Sequence, residues 1–122
     1  MKFTIKNNKI VTDENKLINM IIFDSFGSVE NYEIDTSHLV IESDFTNFSY
    51  RGVFSDQFIN VITKDKTYVI EEGGIFLISN QEDLDDLYDE YISNWFWEEP
   101  YNEFKSTLLD KIDYPFIIVL TM

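Results

Sequence analysis

The chain contains no cysteine, which excludes disulfides, thiolate metal ligands and cysteine nucleophiles and leaves the fold to be held by its core. It has one histidine, His38, and one arginine, Arg51. A Ser-His-Asp triad, a Cys-His pair or a zinc site would therefore have to be built around His38 alone. That residue stands in the run Asp35-Thr36-Ser37-His38, where local hydrogen bonding or a solvent-facing ring is the ordinary explanation. Arg51 reads as an internal partner for one of the many acids. Glycine is scarce too: Gly27 and Gly52 stand singly, and Gly73-Gly74 is followed by no Gly-Lys-Ser, so no nucleotide loop is encoded. No apolar run approaches the ~20 residues that span a bilayer, and the opening Met1-Lys2-Phe3-Thr4-Ile5-Lys6 alternates like a strand, so the expected location is cytoplasmic. Alanine is absent while Lys, Asn, Ile, Tyr and Phe abound, as in an AT-rich bacterial or phage genome.

Positive charge is the other deficit. Nine basic residues face 23 acidic ones, a net charge of −14, which disfavours direct binding to nucleic acid or an anionic membrane and favours a basic protein partner. The 122 residues, 44% of them hydrophobic, suffice for one domain over 1–122 with a real core.

Short alternating segments predict strands at 29–34, 39–43, 48–54, 58–64, 67–71 and 75–78, with 35–38 as a four-residue hairpin connection and Asp65-Lys66 as a tight one. Such short links imply an antiparallel meander. Tyr32, Ile34, Leu39 and Ile41 then face a core, and Glu33 and Glu42 face water, giving a one-sided sheet. Over 13–26, Leu17, Ile18, Ile21 and Ile22 form a helical stripe, although Met20-Ile21-Ile22-Phe23 also fits a buried strand. Phe116-Ile117-Ile118-Val119-Leu120 is apolar on both faces and predicts a final strand inside the sheet.

The strongest pattern lies at 79–100. Leu84, Leu87, Tyr88, Tyr91, Ile92 and Trp95 recur at helical spacing, while Glu82, Asp85, Asp86 and Asp89 share the opposite face. Ser79 and Glu82 have capping-box spacing, and Pro100 ends the helix near 96–98. A second helix is expected at 101–111, with Phe104, Leu108 and Ile112 inward. The expected fold is thus α+β: a single domain with a mostly antiparallel sheet, packed on one face by C-terminal helices, and a final C-terminal strand.

No lysine or arginine occurs between Lys66 and Lys105, a stretch that holds eleven acids from Glu71 to Glu103. Like charges at helical spacing cost a few tenths of a kcal/mol per pair, a cost that mixed signs would avoid. Asp83-Leu84-Asp85-Asp86-Leu87 lacks the central glycine and closing glutamate of a calcium loop, and solvated carboxylates have nothing to raise their pKa for acid–base work. No catalytic residue, metal or cofactor is expected. The acids read instead as a partner-binding face of Glu82, Asp85, Asp86 and Asp89, joined by Glu98 and Glu99. Trp97 is its anchor, since Trp95-Phe96-Trp97 cannot all face one core.

Size, acidity, missing catalytic groups and aromatic anchors together resemble the general class of small bacterial immunity proteins. That resemblance implies a stoichiometric inhibitor of a basic toxin, such as a nuclease. A phage counter-defence protein that mimics nucleic acid and blocks a nucleic-acid-binding enzyme, such as a CRISPR effector, would read the same way. An enzyme or small-ligand binder with an aromatic pocket is the alternative of another class.

Overall fold

In the computed structural model, residues 3–12, 14–24, 28–48, 52–92 and 112–121 are described. The first hairpin follows from two asparagines. Asn7 and Asn8 take φ of 52° and 61°, the left-handed region that asparagine tolerates, and so turn β1 (Phe3–Lys6) into β2 (Lys9–Thr12) with only two residues between. The chain then crosses to a second sheet for the hairpin of β3 (Leu17–Asp24) and β4 (Val29–Asp35).

It returns through a single 3-10 turn, Thr36–His38. The Asp35 carboxylate accepts the Ser37 N–H at 2.9 Å, and these hydrogen bonds from Ser37 hold its pKa below the usual value. Buried Thr36 ties the two crossings together: its hydroxyl donates to the Glu14 carbonyl at 2.6 Å, and its N–H donates to the Lys16 carbonyl at 2.9 Å. The expected hairpin at 35–38 is therefore a passage between sheets, because a short turn limits distance and does not determine which sheet the next strand joins.

The alternation continues through β5 (Val40–Glu42), the pair β6 (Phe45–Phe48) and β7 (Gly52–Ser55), the pair β8 (Ile59–Ile62) and β9 (Thr67–Ile70), and β10 (Gly73–Ile78). A single strand over 48–54 is thus replaced by the end of β6 and the start of β7, two antiparallel strands. Among the described residues one α-helix, α1 (Gln81–Leu87), continues into a π-turn at Tyr88–Ile92, and β11 (Phe116–Thr121) closes the described chain.

Two sheets result, where one was expected. The five-stranded sheet has the order β1-β2-β5-β8-β9 and is antiparallel throughout. The six-stranded sheet runs β4-β3-β11-β10-β7-β6, and its one parallel pair, β3 with β11, places the C-terminal strand in the interior. Ile10, Ile41, Ile59, Val61 and Ile70 of the first sheet pack against Ile18, Met20, Ile75, Leu77, Ile117 and Val119 of the second. Alternate residues of the second sheet, Ile21, Phe23, Phe76, Ile78, Phe116, Ile118 and Leu120, point the other way and form a separate core with Leu84 and Leu87 of α1 and with Ile112. The six-stranded sheet is therefore a middle layer, buried on both faces.

That placement explains the ambiguity at 13–26, where the second of the two readings holds and Leu17–Asp24 is strand β3. A strand apolar on both faces loses its period of two, and Leu17, Ile18, Ile21 and Ile22 then match a helical template by accident. Gly73 sits at φ 151°, beside β11, where a Cβ would run into the Leu120 carbonyl oxygen; glycine alone allows β10 to begin there.

Candidate functional site

Two leucines set the orientation of α1. Leu84 and Leu87 are 0% and 4% exposed against the six-stranded sheet, and Tyr88 packs partly on the same core. Of the acids on α1 and its continuation, Glu82, Asp89 and Glu90 are exposed, and Asp83, Asp85 and Asp86 are half-buried. Trp97, Glu98 and Glu99, the expected second helix and Arg51 lie outside the described residues.

The start of the helix differs by one residue from the expected box. Asn80 is the N-cap and its side chain accepts the Asp83 N–H at 2.9 Å, while the Asp83 carboxylate accepts the Ser79 N–H at 2.9 Å. Reciprocal capping is kept, with Asn80 and Asp83 in the roles expected of Ser79 and Glu82. The regular α-helix gives way to i to i+5 bonding at Tyr88–Ile92, and the end expected near 96–98 lies outside the described residues.

The described basic side chains lie elsewhere. Among the described residues they are Lys6, Lys9, Lys16, Lys64 and Lys66, all on the five-stranded sheet or on links that leave it. Several have local partners there. Lys9 reaches Glu42 at 3.9 Å, and Lys16 reaches Glu14 at 3.1 Å and lowers its pKa. Lys66 stands 4.7 Å and 5.6 Å from the rings of Tyr68 and Tyr32, which bridge the two sheets at 4.8 Å. Sheet-to-sheet and helix-to-sheet spacings of ~10 Å each put these lysines roughly 20 Å from the helical layer. The screening length at physiological salt is ~8 Å, so they cannot neutralise its acids.

One exposed aromatic was not among the residues assigned to the binding face. Tyr114 is 40% exposed, with its ring stacked on buried Phe116 at 5.5 Å. Burial first, and then the charge of Asp85 on α1, raise its phenol pKa. The Tyr114/Phe116 spacing of two, at the entry to a strand, was the available signal.

His38 is exposed, with Nδ1 3.0 Å from the Ser37 carbonyl. Among the described residues no three His, Cys, Asp or Glu side chains are grouped to hold a metal ion, and no helix is long and apolar enough to cross a membrane. Comparison with protein families, with curated proteins and with solved structures finds no match.

Proposed function

We propose that the protein is a non-enzymatic, stoichiometric inhibitor that binds a basic protein through the acidic side of α1, in the manner of an immunity protein covering the basic active site of a toxin or another nucleic-acid-binding enzyme. What supports this reading is the division of charge between layers, with acids over the helical layer and the described lysines two layers away. Uniform acidity for solubility alone would not require that division. A one-signed face steers a partner of opposite sign and raises its association rate, and Tyr114 offers a rigid aromatic contact at its margin.

The test is capture and inhibition. Immobilised protein should retain from its host a basic protein that elutes with salt, and the purified partner's activity should fall to zero at one equivalent. Retention that is unchanged by reversing Glu82 and Asp89 to lysine would contradict the proposal.

A further inference from the structure

Phe58 is 61% exposed, which is unusual for a phenyl ring and is not accounted for by the core. It is also held in place. The Gln57 N–H donates to the Ser55 hydroxyl at 3.1 Å, Ser55 and Ser43 share a 2.7 Å hydroxyl contact, and the Ser43 hydroxyl donates to the Phe58 carbonyl at 2.8 Å. Ser55 itself is buried, so the link from β7 to β8 is fastened to the link from β5 to β6 and presents Phe58 outward.

Beside it lies an open cleft of about 360 Å³, within the size range of small-ligand sites. Its floor is one row of the outer face of the five-stranded sheet, Lys9, Glu42 and Asn60, which are register partners on β2, β5 and β8. Adjacent strands are ~4.8 Å apart, so donors and acceptors succeed one another at that interval. Among the described residues, the side-chain amides of Asn7, Asn8, Gln57 and Asn60 have no hydrogen-bond partner, and all four line the cleft. Each amide can donate and accept from one planar group. The Lys9–Glu42 pair at 3.9 Å cancels its own charge, and the exposed carboxylate of Asp44 in the same lining repels an anion and can accept from a hydroxyl group.

A neutral ligand that both donates and accepts hydrogen bonds, and that carries an apolar face to lie on a phenyl ring, has the chemistry of a sugar. We propose that this cleft binds a short neutral saccharide, stacked on Phe58 and hydrogen-bonded by Asn7, Asn8, Glu42 and Asn60. The site is independent of the acidic helix, from which the six-stranded sheet separates it.

The test is a titration of the ¹⁵N-labelled full chain with cellotriose, maltotriose, mannotriose and triacetylchitotriose at millimolar concentration. Saturable shifts at Asn7, Asn8, Phe58 and Asn60 with at least one of them are expected. Phe58→Ala should weaken that binding about tenfold or more, and Phe58→Trp should preserve it. The pair Glu82→Lys and Asp89→Lys should leave it unchanged. No saturable shift in the cleft with any of the four, or equal binding by Phe58→Ala, would overturn the proposal. So would a Phe58→Ala variant that lost a basic protein partner while no saccharide bound, since the cleft would then belong to a protein interface.

Discussion

Replacing Leu84 by alanine separates the docking of α1 from its charge. Seven residues are too few for a stable isolated helix, and the clustered acids weaken it further, so tertiary contact through Leu84 and Leu87 must hold it on the sheet. Leu84 is fully buried among Phe76, Ile78, Phe116 and Ile118. Removing most of such a side chain loses its transfer free energy and leaves a cavity, and the strands around it are held by their ladders on either side and cannot collapse. The cost should therefore sit in the middle of the usual range, about 3 kcal/mol. For a chain of this size that lowers Tm by roughly 10–15 °C. Urea denaturation of Leu84→Ala followed by far-UV circular dichroism should give a lower midpoint at unchanged slope. Glu82→Ala, at an exposed position on the same helix, should move stability by less than about 1 kcal/mol. A Leu84→Ala loss below about 1 kcal/mol would refute the reasoning, because Leu84 would then not be the residue that seats the helix.

Two further outcomes follow from local hydrogen bonding. Asn80→Ala should cost about 1 kcal/mol in the same urea experiment, whereas Ser79→Ala should cost almost nothing, because the Asn80 side chain is the cap and only the backbone N–H of Ser79 is used. Asp35 has a folded pKa below the ordinary Asp value of about 3.9, so its contribution is present above that value and is lost as pH falls through the lower folded one. The stability advantage of the wild-type protein over Asp35→Ala, measured by urea unfolding at a series of pH values, should be constant near neutrality and narrow as pH drops below about 4; a gap independent of pH would exclude the charged hydrogen bond.

Elements with a single buried face or an unmistakable end were legible in the sequence. The leucines at 84 and 87 define the inner side of α1, and the doubly apolar run from Phe116 marks a strand inside a sheet; both are where the residue pattern puts them. Legibility failed where a local signal carries no long-range information. The turn at Thr36–His38 is correct as a turn, yet nothing in its three residues says that Val40 will pair with Ile62 across the five-stranded sheet instead of returning beside β4. Strand β3 was ambiguous because Met20 serves one core and Ile21 the other, and a strand used on both sides shows no alternation. The helix start slipped by one residue because Ser79 and Asn80 can both cap, and only the fold decides which carbonyl begins the helix. Of the candidate site, the helix that carries Glu82, Asp85 and Asp86 was readable from spacing. Tyr114 was not, because its exposure depends on Phe116 being fixed in a sheet whose order is set by pairings far along the chain.

The central claim is that the acidic side of α1 meets a basic partner, and association kinetics with the captured partner test it most directly. Wild-type protein and the double variant Glu82→Lys, Asp89→Lys would be compared at two salt concentrations. Both positions are exposed, so the fold should persist. The account predicts fast, strongly salt-dependent association for the wild-type protein, and for the variant a rate slower by about tenfold or more at low salt with a flattened salt dependence. Equal association rates for the two proteins at low salt would contradict it.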